Sequence, residues 1–376
     1  MKPNERHDWR AEFPTLARKT YLNSCSLGAL SQRSLARVRT FHEEWLDLGA
    51  SAWYEIWLGR LAGLRSRMAA FLGAHDGEVA LAASTSAALS VIASALDYRT
   101  RNRVIVADLD FPTVAYQWMV RPGVEVVRVP SDDGVSIDPQ RMAAAIDDRT
   151  ALVSISHVFF TTGAIQQTAP IADAARRHDA LFLVDGYQSA GQVPVDVAAL
   201  GADVFVTGPL KWLLGGPGLA YLYVAGPWIA RLEPQITGWF AARDQFAFDI
   251  HDFAFKDDAR RFELGTPALP TVHAALGGQE IIDEVGIHAI RARNSELTEY
   301  LIERLADAGL ETRTAARADD RSALVMVRHA EPDRAVQWLA QHDIIVDARP
   351  GHVRVSPHFY NTADDIDRFV TILTAE

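Results

Sequence analysis

Three short stretches carry side chains that can do chemistry together. Asp185-Gly186-Tyr187-Gln188 follows the apolar run Leu181–Val184, so a carboxylate and an amide stand just beyond the end of a predicted strand. A carboxylate in that place can hold a heterocyclic nitrogen protonated, and the amide three residues on can reach a ring substituent. The next run, Val204–Thr207, leads to Gly208-Pro209-Leu210-Lys211 and then to the glycine-rich Gly215-Gly216-Pro217-Gly218. A lysine held there is partly desolvated, which lowers its pKa and frees a neutral amine for Schiff-base chemistry. Upstream, Ala83-Ser84-Thr85-Ser86-Ala87-Ala88 opens a predicted helix running to Leu96, so hydroxyls and free backbone N–H groups converge on one anion site.

Each piece is ordinary by itself. A strand-end Asp is often a turn former, a Ser-Thr-Ser helix start is often a plain N-cap, and a Lys before a glycine-rich turn is usually solvated. The chain has no GxxxxGK(S/T) and no GxGxxG after its first strand, which removes the nucleotide-type phosphate sites. The 12 histidines form no HExxH pair, so a metal centre is not expected. Taken in chain order, an anion site, an aromatic at Phe111, then Asp185, then Lys211 is the set that pyridoxal 5′-phosphate (PLP) requires.

The elements that must position these residues follow from the apolar periodicity. Short runs at Val104–Ala107, Val124–Val129, Ala151–Ser156, Leu181–Val184, Val204–Thr207 and Ala220–Val224 alternate with amphipathic stretches such as Pro139–Ile146 and Pro170–Arg177. That is the βαβ pattern of a mostly parallel sheet flanked by helices, and such sheets bind ligands beyond the carboxyl ends of their strands. A long periodic segment over about 279–308 leads to strand Leu324–Val327, helix Asp333–Gln341, strands Ile344–Asp347 and His352–Ser356, and a last helix to Ile372. Asn361 or Thr362 can cap that helix, with Asp364 and Asp365 complementing its dipole. The expected fold class is α/β: an N-terminal arm at 1–20, a large domain at 21–275 and a smaller α+β domain at 276–376.

Composition narrows the partners. The chain has 376 residues and is 49% apolar, long enough to bury a large core without a disulfide, and its single cysteine, Cys25, has no partner within the chain. One cysteine at this size is expected in a reducing compartment, so a cytoplasmic location is the expectation. The start MKPNERHDWRAEFP has no apolar signal region, and no stretch reaches the length of a membrane span. The formal net charge of −11, with Lys and Arg scattered, leaves no footprint for nucleic acid or an anionic membrane. A small molecule is the expected partner.

Eight segments in order resemble those of fold-type I PLP-dependent proteins of the class V aminotransferase-like family, most of all its kynureninase-like members. They are Tyr21–Gly28, Ser84–Leu89, Phe111–Thr113, Asp185–Gly191, Lys211–Gly218, Gly238–Phe240, Arg261–Pro267 and Arg354–Thr362. The resemblance implies that Lys211 forms the Schiff base with PLP and moves the Cα proton, while Asp185 pairs with the pyridinium nitrogen. It further implies that Gln188 reaches the phenolate oxygen, Phe111 lies over the ring, Thr85 and Ser86 hold the phosphate, and Trp239 approaches it. Thr266 is implied to reach the phosphate in the partner subunit, giving a homodimer with active sites at the subunit interface. Arg354 is implied to bind the substrate α-carboxylate as a bidentate fork, with Ser26 in the segment that borders the substrate side. Arg349 is a second candidate anion contact.

The chain departs from the resemblance where reactions diverge. Leu210 precedes the lysine where kynureninases have Tyr and cysteine desulfurases His; Val114 replaces an Asp after the Phe-Pro-Thr segment, and Ala241-Ala242 replace Gly-His. Ala348-Arg349-Pro350-Gly351 supplies no thiolate for desulfuration. The expectation is a PLP-dependent enzyme acting on a small α-amino acid through a Cα carbanion, with kynureninase-like or C–S lyase-type side-chain cleavage. Transamination is the alternative. Desulfuration and a non-catalytic PLP-binding role rank below both.

Overall fold

Near-continuous apolar runs dictate a sheet covered on both faces, because a strand with one wet face alternates with polar residues. In the computed structural model, which describes residues 9–376, these runs form a seven-stranded sheet. The first eight residues of the arm expected at 1–20 lie outside the described residues. Strand β1 is Thr20–Tyr21, and the large sheet follows with β2 Val79–Ala82, β3 Arg103–Ala107, β4 Glu125–Val129, β5 Thr150–Ser156, β6 Leu181–Asp185, β7 Val204–Thr207 and β8 Ala220–Val224. Its order is β2-β8-β7-β6-β5-β3-β4, parallel except at β8, which is antiparallel to both neighbours.

Alternate residues of each strand go to opposite cores. Ile105, Val153, Phe182, Val184 and Phe205 pack with Leu61, Leu64 and Met68 of helix Leu58–Leu72, whereas Val104, Leu152, Leu183 and Val206 pack with Leu89 and Ile92 of helix Thr85–Ser94. Each such side chain, fully buried, contributes about 1.5–3 kcal/mol. The chain runs from β3 outward to β4 and then returns to place β5 on the other side of β3. That reversal opens a crevice at the carboxyl ends of β3 and β5, the place where open α/β sheets bind ligands.

A second, antiparallel sheet of order β12-β13-β10-β9 comprises β9 Thr312–Arg313, β10 Val325–Arg328, β12 Asp347–Arg349 and β13 His352–Val355, while β11 Ile344–Ile345 pairs in parallel with β1. Thr362 caps the final helix, Ala363–Leu373, in a reciprocal box with Asp365.

The structure adds to the sequence reading at two places and corrects it at a third. Strand β2 was not anticipated: Val79-Ala80-Leu81-Ala82 contains two alanines, and only its place at the sheet edge beside β8 makes it a strand. The periodic segment over 279–308 is two helices, Leu269–Val285 and Ile287–Asp307, because Gly286 at φ +82° turns the chain between them. The run expected as one strand at Ile344–Asp347 is divided between β11 and β12, which belong to different sheets.

Candidate active site

The carboxyl ends of β5, β6 and β7 and the N-terminus of helix Thr85–Ser94 enclose a cavity of about 240 Å³. Thr85, Ser86, Phe111, Asp185, Gln188 and Lys211 all line it. Ligand pockets commonly begin near ~300 Å³, so this one suits a single small molecule.

Asp185 is the last residue of β6 and is buried. Its Oδ1 accepts the Tyr187 backbone N–H at 2.9 Å, and no described residue donates to Oδ2 or forms an ion pair with it. Burial pushes its pKa up, against the opposing effects of that N–H and of Lys211. A buried carboxylate with an open oxygen calls for a charged N–H donor. Lys211 lies in the turn after β7, and burial pushes its pKa down to about 8. Among the described residues its Nζ makes no hydrogen bond or ion pair, and its contact is the face of the Tyr187 ring, 4.9 Å from the centroid.

At the other end, Ser84 caps the helix through Ala87 N–H at 3.1 Å, and the Ser86 and Thr113 hydroxyls pair at 2.6 Å. The buried Thr85 Oγ1 has no hydrogen-bond partner among the described residues. Free N–H groups, a positive helix terminus and an orphan hydroxyl form an anion seat. Gln188 is fixed from both sides, its Oε1 accepting from Trp212 Nε1 at 2.9 Å and its Nε2 donating to the Cys25 carbonyl at 3.0 Å, which leaves one amide N–H to give. Phe111 stands edge-on to Phe160, centroids 5.1 Å apart.

Arg354 is buried on β13, opposite Asp347 in the β12–β13 register. Its fork closes on that carboxylate, Nε to Oδ1 at 2.8 Å and Nη2 to Oδ2 at 2.6 Å, while Nη2 also reaches Ser26 Oγ at 2.6 Å and Nη1 the Phe160 carbonyl at 3.2 Å. A guanidinium has five N–H donors, so one remains. Arg349 flanks the same carboxylate at 3.3 Å, giving two cations around one anion. The structure thus joins Arg354 to Ser26 but presents the fork to Asp347.

Trp239 and Thr266 do not line the cavity of their own chain. Thr266 is exposed, and Trp239 stacks on Phe248 with centroids 5.8 Å apart. Sequence reasoning missed Asp110, whose carboxylate ties β3 to β5 by accepting Ala107 N–H at 2.8 Å and Ser156 N–H at 2.7 Å. Burial pushes it up to about 7. It also missed Asp347, although an Asp and an Arg flanking a Pro-Gly turn at matching distance is a readable hairpin ion pair.

An open carboxylate, an unpaired amine and an anion seat are what a ring N–H, an aldehyde and a phosphate require, and the residues fit PLP. The class V aminotransferase family model matches residues 32–369. The chain belongs to the class V aminotransferase family. Among curated relatives, an uncharacterized aminotransferase, YcbU, of Bacillus subtilis is 32% identical across 98% of this chain and 97% of its own length. The kynureninase of Bacillus mycoides is 29% identical across 99% and 91%. Among solved structures, C-DES superimposes with a TM-score of 0.89 at 22% identity, over 97% of this chain and 98% of its own, as a lysine-to-alanine mutant with glycine covalently linked to its PLP cofactor. C-DES, described as a cystine C–S lyase, is also known in complex with its product cysteine persulfide. The shared fold of the class V family accounts for the cavity's place at the strand ends. Among the described residues, no helix is long and apolar enough to cross a membrane.

Proposed function

We propose that this class V family member is a PLP-dependent enzyme that removes the Cα proton of a small α-amino acid and then cleaves its side chain. The observation that carries the reading is the meeting, in one cavity, of the open Asp185 oxygen, the unpaired Lys211 amine and the orphan Thr85 hydroxyl. When bound, PLP supplies the electron sink for the pair left at Cα. Asp185, with its open oxygen, would hold the ring nitrogen of that group protonated. Thr85, Ser86 and the helix N–H groups hold the phosphate, and the free N–H of Gln188 orients the ring. Lys211 Nζ, with its pKa near the working range, takes the Cα proton and can return it.

Arg354 holds the α-carboxylate through its remaining N–H, with Arg349 beside it carrying the uncompensated positive charge. Arg354→Lys is therefore expected to weaken amino-acid binding about ten- to a hundredfold, the worth of a charged hydrogen bond. PLP affinity, measured by fluorescence titration, should change much less. Equal losses for both ligands would make Arg354 structural only.

The choice of reaction rests on what the cavity lacks. Of the departures from the kynureninase-like pattern, Leu210 lines the cavity, while Val114 is buried in the helix after β3 and Ala241 and Ala242 stand outside the wall. A hydrocarbon side chain replaces a proton donor beside Lys211, and a positioned acid or base contributes about 10²–10⁴ to rate. A thiolate leaving group departs without that help. We therefore expect an amino acid with a good β-leaving group to release a keto acid and ammonia, and L-kynurenine to be a poor substrate. Steady-state assays of both on one preparation decide it, and kcat/KM for kynurenine above about 10⁴ M⁻¹s⁻¹ would reverse the ranking. The C–S lyase named for C-DES and the kynureninase named for Bacillus mycoides support this reading; the name of the Bacillus subtilis relative keeps transamination as the second.

The protein is proposed to act as a homodimer. Trp239, Phe246 and Phe248 form an exposed aromatic cluster with Tyr54, and Phe248 is 68% exposed. A patch of this kind needs covering, and Thr266 on the neighbouring surface is then free to reach a second subunit's site.

A further inference from the structure

Lys211 carries its charge into the cavity with an aromatic face as its contact, Nζ lying 4.9 Å from the Tyr187 centroid. The charged and titratable groups around it come from four places. Asp185 at the end of β6 and the Cys25 thiol of the N-terminal segment favour the ammonium; Arg354 on β13 and Arg349 on β12 oppose it. Asp110 lies close enough to Asp185 to feel its charge. None is within ion-pair distance among the described residues.

The Tyr187 ring is held in place by its surroundings. Its backbone N–H is tied to Asp185, and Gly208, three residues before the lysine, leaves the space it fills: a Cβ on Gly208 would stand 2.7 Å from Tyr187 Cε2 and 2.9 Å from its hydroxyl oxygen. The bare position before Lys211 and the large aromatic after Asp185 are thus one packing arrangement. Burial raises the phenol's pKa, and its hydroxyl makes no hydrogen bond among the described residues, so Tyr187 faces the amine as a neutral ring.

We propose that Tyr187 is a positioning residue for Lys211: its ring face seats the ammonium and so governs how readily the amine is released to attack a carbonyl. The inference rests on the reading of Lys211 as the cofactor lysine. A desolvated cation–π contact stabilises the ammonium, so losing it makes the amine neutral at lower pH.

The test follows the initial rate at which full-length apoprotein captures PLP in a borohydride-reducible form on Lys211, between pH 6 and 10, with the modified peptide identified by mass. Wild type is expected to show a midpoint near pH 8. Tyr187→Leu should move the midpoint down by about one unit and lower the high-pH plateau, whereas Tyr187→Phe should restore both. Tyr187→Met replaces the leucine variant if its melting curve shows misfolding. An unmoved midpoint in the non-aromatic variant, or a phenylalanine variant that behaves like it, overturns the proposal. Failure of wild type to capture PLP on Lys211 removes the cofactor reading itself, and this inference with it.

Discussion

Lys211→Ala is expected to abolish borohydride-trappable PLP and to lower turnover by at least about 10²–10⁴, the share of a single positioned proton-transfer group. Among the described residues no other lysine is placed to substitute. Lys19 is paired with Asp343, and Lys256 donates to the Ala242 carbonyl in a loop outside the cavity. The check is a peptide digest of the reduced holoenzyme together with a single-turnover assay. Reduced cofactor on another lysine, or a variant that keeps turnover within tenfold of wild type, would remove Lys211 from its role.

Asp185→Asn is expected to cost about 10²–10³ in kcat, because an amide cannot hold the ring nitrogen protonated while the pair develops at Cα. The same change should leave the apoprotein as stable or more so. In the folded state the Asp185 pKa is raised, so the folded chain binds its proton more readily than the unfolded chain. Stability is then lost as pH rises from the unfolded value, ~3.9, through the raised folded one. Asparagine removes that loss. Thermal melts of apoprotein across pH should therefore show a flatter curve for the variant alongside its weaker catalysis. A variant that melts lower at every pH while keeping kcat would assign Asp185 to structure.

Much of this was legible in the chain because the chemistry follows strand ends and strand ends follow hydrophobic runs. Leu181–Val184 and Val204–Thr207 are almost uninterrupted apolar stretches, so Asp185 and Lys211 could be placed before any contact was known. The Ser-Thr-Ser start was readable for the same reason, as a polar cluster ahead of an apolar helix. Arg354 and Ser26 were singled out as substrate-binding candidates from their motifs, whereas their contact with each other and the engagement of Arg354 with Asp347 depend on the hairpin register across Pro350-Gly351, a tertiary fact that no one residue announces alone. Asp110 was missed because its partners are backbone N–H groups, which leave no mark on a sequence. Strand β2 was missed because its two alanines take their strand geometry from β8 rather than from their own propensity.

The segment from β1 to Gly28 touches everything that matters in turn. Asn23 bridges to Ser356, Cys25 offers its carbonyl to Gln188, Ser26 donates its hydroxyl toward Asp347 and accepts from Arg354, and Gly28 N–H binds the Leu210 carbonyl beside the lysine. Residues 23–28 thus act as a short tie between the small sheet that carries Arg354 and the large sheet that carries Asp185 and leads to Lys211. If Arg354 takes up a carboxylate as proposed, the chain of direct contacts from Arg354 through Ser26 and Cys25 to Gln188, and through Gly28 to Leu210, is the path along which the two ends of the site are joined.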